Sequence, residues 1–202
     1  MEVSNIESKE IATRIIIHKK RRLIMNLSDT ALIVIDVQNK LVEGGPYNIE
    51  AVLKNIRTLI DACHKSEIEV IYIQHTESTD DGFKAGTHGW QIHESVAPMS
   101  GEMTFMKNYN SAFKDTKLKR YLDEKGFTNL IITGMQTDYC IDATVKVGFE
   151  YGFKLVIPEG TNTTFDNQYM SAEQVVGHLN LGVYKGRFGE VVSVGDVVGR
   201  LD

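Results

Sequence analysis

The stretch GMQTDYCIDATVKVGF, Gly134 to Phe149, carries one of only two cysteines to the point where an apolar run gives way to a helical pattern. The run before it, Leu130, Ile131 and Ile132, is compact and bounded by Gly134, which suits a buried strand. After it, Cys140, Ala143, Thr144 and Val147 recur at i, i+3, i+4 and i+7, the spacing of a helical stripe. Cys140 is therefore expected to open a helix just beyond the end of a strand. That position suits chemistry, and it suits packing as well.

Outward from this stretch the chain alternates. Ala31 to Ile35 is a continuous, β-branched apolar run, 49–65 has helical periodicity, and 70–74 is again strand-like. Residues 111–125 read as a helix closed by Gly126, 129–133 as a strand, 139–151 as a helix closed by Gly152, and 154–157 as a strand ended by Pro158. Residues 171–180 look helical and 190–194 form a last candidate strand. Strands apolar throughout, alternating with helices, predict an α/β fold: three α/β/α layers around a mainly parallel sheet covered on both faces. In such sheets ligands gather at the carboxyl ends of the strands.

The 202 residues, 42% hydrophobic and 24% charged, suffice for one domain, taken as 26–202. A formal charge of -5 leaves no basic footprint for nucleic acid. No segment approaches the roughly 20 apolar residues of a membrane span. Two cysteines, Cys63 and Cys140, are no disulfide framework and fit a reducing compartment, so the expected location is cytoplasmic. Residues 1–25 place acids, a short Ile15–Ile17 run and then the basic cluster His18 to Arg22, the wrong order for a secretory signal. Three readings stand for this extension: a disordered or loosely docked arm, a translation start placed too early with Met25 as the natural one, or a basic targeting patch.

The strand-end rule selects Asp36, which directly follows ALIVI, and Cys140, on the same rim. Alone, an acid at a strand end is most often a cap or a loop acceptor, and a lone cysteine a small core residue. Three ordered segments add to this: IVIDVQNKL (33–41), PMSGEMTFMKNYNSAF (98–113) and GMQTDYCIDATVKVGFEYGFKLVI (134–157). Together they closely resemble the isochorismatase-like cysteine hydrolases, the superfamily that also holds nicotinamidases and N-carbamoylsarcosine amidohydrolases. The resemblance spans roughly 29–178 and implies a catalytic triad of Asp36, Lys107 and Cys140. It also implies a cis peptide between Met135 and Gln136, with the backbone N–H groups of Gln136 and Cys140 forming an oxyanion hole.

Under that resemblance each triad member has a physical task. A free cysteine is only about 3% thiolate at neutral pH. An ammonium about 4 Å away contributes on the order of 4 kcal/mol at an effective dielectric near 20, so Lys107 is expected to be the dominant influence on the thiol and to lower its pKa. Asp36 would take the thiol proton during attack and return it to a leaving amine.

For the substrate, the resemblance offers a fork. The Asp-x-His pair of metal-dependent nicotinamidases is absent, since Asp80 and Asp81 precede Gly82 and Phe83, and no metal or other cofactor is expected. His75, His88 and His93 would make one only by converging in space. Isochorismatases proper commonly lack the nucleophilic cysteine that this chain keeps. The expected activity is hydrolysis of a small amide, lactam or carbamoyl compound through a thioester; vinyl-ether hydrolysis with Cys140 incidental, or a thiol redox sensor, are the alternatives. Gln38, Trp90, Tyr109 and Phe113 are the candidate substrate-binding residues, with Asn110 near Lys107, and 76–100 the variable wall. Glu159 stands where many relatives carry a supporting Asp. Relatives self-associate, so a homodimer or homotetramer is expected.

Overall fold

The computed structural model describes residues 27–79 and 82–201, so the expectations for the extension 1–25 fall outside the described residues. The strands are β1 Thr30–Ile35, β2 Glu69–His75, β3 Met103–Lys107, β4 Asn129–Met135, β5 Lys154–Pro158, β6 Asn162–Thr163 and β7 Glu190–Val192. The helices are α1 Asn39–Glu43, α2 Ile49–Lys65, α3 Leu118–Lys125, α4 Asp142–Glu150, α5 Ala172–Gly177 and α6 Val194–Leu201. Every pairing is parallel, in the order β3-β2-β1-β4-β5-β7, with β6 added to the end of β4.

The continuous apolar runs follow from burial on both faces. In β1, Leu32 and Val34 face a core completed by Ile56, Leu59 and Ile60 of α2 and by Val197 and Leu201 of α6. Ala31, Ile33 and Ile35 face the opposite core, with Leu118, Leu122, Ile141 and Val145. A strand with a wet face would have had to alternate polar residues with these.

Several elements differ from expectation. The helix predicted over 111–125 starts only at Leu118. Before it, Thr116 Oγ1 donates to the Ala112 carbonyl at 2.7 Å and accepts from Leu118 N at 3.3 Å, while Asp115 sits at φ +54°. Short hydroxyl side chains here replace helical backbone bonds. Cys140 does not open an α-helix: it lies in a π-helical run, Thr137–Ile141, ahead of α4. The buried face of α4 runs through Thr144, Val145 and Gly148, while Cys140 is only partly buried and packs against the same core. A second π-helical run, His178–Tyr184, extends α5, and α6 follows β7 where only a strand was expected.

Gly134 fixes how closely β1 and β4 meet. It pairs with Ile35, its φ is +120°, and a Cβ built there would lie 1.9 Å from the Ile35 carbonyl oxygen. No side chain fits without moving the strand end that carries Asp36. Gly134→Ala is therefore expected to lower unfolding stability by about 3 kcal/mol or more. Chemical denaturation checks this; an unchanged midpoint would mean that the strand ends are looser than described.

Candidate active site

Four adjacent parallel strands deliver their carboxyl ends to one rim. Asp36 follows β1 and leaves the sheet at once, with φ +51° and its N–H donating to the Ile73 carbonyl at 2.9 Å. His75 and Lys107 end β2 and β3 and are register partners. Cys140 follows β4 through the Met135–Gln136 peptide, which is cis.

The side chains converge. Lys107 Nζ lies 2.6 Å from Asp36 Oδ2, and both side chains are fully buried. The same ammonium donates to Cys140 Sγ at 3.2 Å and to His75 Nδ1 at 3.3 Å. The contact with Asp36 is an ion pair lying off the hydrogen-bond direction, and neither carboxylate oxygen has a well-aligned donor. That leaves Asp36 with lone pairs available for a proton.

The expectation that Lys107 dominates the thiol is overturned. Burial pushes the Cys140 pKa up to about 12, the Asp36 charge adds to the rise, and the attraction of Lys107 does not offset them. The physical reason is that the ammonium is already paired with a carboxylate, so the thiol meets a nearly neutral couple in a desolvated site. The direction of these influences is toward a protonated thiol.

The cavity over these groups has a volume of about 180 Å³ and is walled in part by Asp36, Glu77, Phe83, Gln136 and Tyr139. Asn110 belongs to it as well. A larger hollow of about 460 Å³ lies among Phe149, Phe153 and Phe188 and holds none of the triad, so here size does not mark the site of chemistry.

None of the four residues expected to bind substrate, Gln38, Trp90, Tyr109 and Phe113, lines this cavity. Phe113 is buried in a core, stacked on Phe153 at 5.8 Å. Trp90 lies outside the cavity wall, its Nε1 donating to Thr76 Oγ1 at 2.9 Å. Tyr109 is exposed under Lys114, whose Nζ is 4.5 Å from the ring centroid. Gln38, fully buried, is a clamp on the end of β2: its Nε2 donates to the His75 carbonyl at 3.0 Å and its Oε1 accepts from His75 N at 2.9 Å. It thereby continues the β1–β2 ladder after β1 has turned away.

The three histidines do not converge. His75 Nε2 contacts Glu77 Oε1 at 2.9 Å, His88 Nε2 contacts Glu43 Oε1 at 2.6 Å, and His93 Nδ1 contacts Ser95 Oγ at 2.8 Å. Among the described residues no group of three or more His, Cys, Asp or Glu is arranged to hold a metal ion. Also among the described residues, no helix is long and apolar enough to cross a membrane. Cys63 and Cys140 are both free thiols.

Comparison with known proteins now bears on the site. The family model for the isochorismatase domain matches residues 30–191. The chain belongs to the isochorismatase family. It is a hydrolase of that family. It is 32% identical over 155 residues to the isochorismatase family protein YddQ of Bacillus subtilis (strain 168), covering 72% of this chain and 86% of that protein. It is 26% identical over 196 residues to an N-carbamoylsarcosine amidase of Arthrobacter sp, covering 85% of this chain and 71% of that protein. A crystal structure of an isochorismatase from Pseudomonas putida KT2440 superposes with a TM-score of 0.79 at 27% identity, over 84% of this chain and 90% of that one.

Support for the cysteine turn does not come from Glu159, which is exposed. It comes from Asn162, whose Oδ1 accepts from Thr137 Oγ1 at 2.8 Å and from Asn180 Nδ2 at 3.0 Å. Tyr184 OH donates to the Thr137 carbonyl at 3.1 Å from the same side. Asn162→Ala strands these buried partners, and a loss of about 1–3 kcal/mol is expected together with reduced turnover. Urea denaturation alongside steady-state rates measures both; full stability in this variant would remove Asn162 from its supporting role.

Proposed function

We propose that the chain is a cysteine amidohydrolase that cleaves the C–N bond of a small amide, lactam or carbamoyl compound through a thioester on Cys140. The observation that carries this reading is the buried Lys107 ammonium, 2.6 Å from the Asp36 carboxylate and 3.2 Å from the Cys140 sulfur. The amidase among its relatives supports the choice of a C–N bond.

The raised thiol pKa sets the order of events. Asp36 takes the Sγ proton as the sulfur attacks the carbonyl carbon, and the carbonyl π pair moves to oxygen. The oxyanion is received by the backbone N–H groups of Gln136 and Cys140. Collapse breaks the C–N bond while the Asp36 carboxyl gives its proton to the leaving nitrogen. Water then attacks the thioester, Asp36 takes its proton, and the acid departs as that proton returns to sulfur. The sum is amide plus water giving acid plus amine. Throughout, Lys107 stabilises whichever of carboxylate or thiolate is charged, so the proton shifts between two anions that share one cation.

Incubation with a panel of small amides followed by intact-protein mass spectrometry is expected to show an acyl adduct on Cys140, with Cys140→Ser showing neither adduct nor amine release. Asp36→Asn should reduce turnover by a factor of about 100 or more. Undiminished turnover by Cys140→Ser would contradict the thioester route and favour chemistry that bypasses the sulfur.

A further inference from the structure

The cavity contains a chain of polar contacts that the triad does not need for proton transfer. Lys107 must donate to His75 Nδ1, since an ammonium has no lone pair, so that ring nitrogen carries none of the protons. The proton of the neutral imidazole is then on Nε2 and points to Glu77 Oε1, 2.9 Å away. Gln38 fixes the backbone of His75 from the other side, and the Phe83 ring meets the imidazole edge to face at 5.3 Å. The ring is thus contacted at both nitrogens and by one aromatic neighbour.

Charge accounting follows. Lys107 is already paired with Asp36 and donates to Cys140 and His75, so a substrate carboxylate would have to compete with these partners for its charge. Among the described residues that wall the cavity there is no Lys or Arg; of its two carboxylates, Asp36 is paired with Lys107 at 2.6 Å and Glu77 contacts the imidazole of His75. Lys40 packs on a wall residue, its Nζ 4.5 Å from the Phe83 centroid, and is not itself part of the wall. Both oxygens of Asp36 are buried without a well-aligned donor. Glu77 places one oxygen 2.9 Å from His75 Nε2, and its side chain is partly open to solvent. Tyr139 adds an aromatic ring, whose face attracts cations and not anions, while the Phe83 ring is already met by Lys40.

We propose that this cavity selects amides whose non-reacting part carries a positive charge and no carboxylate, and that Glu77 is the residue that reads the charge. The proposal rests on the amidohydrolase reading for the word amide, and on the wall residues alone for the sign of the charge. A carboxylate-bearing substrate would have to enter beside Glu77 while the Lys107 ammonium is already paired with Asp36, at the cost of desolvating like charges together. An ammonium, guanidinium or protonated amine would pair with Glu77 while its reacting carbonyl lies over Cys140.

The charge preference is testable without knowing the substrate. Cys140 is titrated with cationic 2-aminoethyl methanethiosulfonate and with anionic 2-sulfonatoethyl methanethiosulfonate. In each case the thiolate forms a disulfide and methanesulfinate leaves. Rates are normalised to those of a free thiol of low molecular weight, and Cys140→Ser provides the background. The expected result is a normalised preference for the cation of about tenfold or more at low salt. In Glu77→Gln, which keeps an acceptor for His75 Nε2–H, that preference falls several-fold. A ratio near unity, or one favouring the anion, overturns the proposal, as does a cation preference that Glu77→Gln leaves untouched. Absence of any acyl adduct from an amide panel would strike the amidohydrolase reading instead, so the two failures are told apart.

Discussion

The Asp36–Lys107 ion pair is the constraint around which the site is built. An ammonium and a carboxylate 2.6 Å apart, both almost without solvent exposure, are costly to desolvate, and such pairs are seldom the cheapest way to fill a core. Its use is chemical. One cation held between a carboxylate and a sulfur allows a proton to pass from the second to the first with little change in total charge. A resting thiol pushed up by burial and by Asp36 fits this division of labour, because the base must remain ionised for the nucleophile to form.

The fold exists at this rim to hold that pair in place. Parallel register sets His75 beside Lys107, Gly134 lets β4 close against β1, and Gln38 extends the β1–β2 ladder with a side-chain amide. Behind Cys140 the hydrogen bonds of Thr137, Asn162, Asn180 and Tyr184 fasten the π-helical turn to the end of the sheet. The acceptors around Lys107 thus come from two strand ends and one turn, each anchored by its own backbone or amide contacts.

Much of this was legible in the sequence because the central strands are covered on both faces. The continuous apolar runs of β1, β2, β4 and β5 and the stripe of α2 announce a parallel sheet directly. The edge strand β3 is different: Thr104 and Met106 are exposed, so no apolar run marks it, and Lys107 was reached only through the resemblance of its motif. The helix α6 carries Gly195 and Gly199, and its fully buried residues are Val197 and Leu201, with Val194 and Val198 packed beside them. Trp90 and Phe113 do not line the cavity, because residue type alone does not say whether a ring will face a pocket or a core. Glu77 was hidden because the contact of His75 with Lys107 depends on strand register, which a linear sequence does not display.

The most direct test of the account is the protonation state of Cys140 in the resting protein, followed by the thiolate ultraviolet absorbance of wild type minus Cys140→Ser across pH. The account predicts almost no thiolate signal at neutral pH and a rise only well above the ordinary cysteine range, toward about 12. A thiolate already formed at neutral pH would contradict it, and would mean that Lys107 serves the sulfur before it serves Asp36.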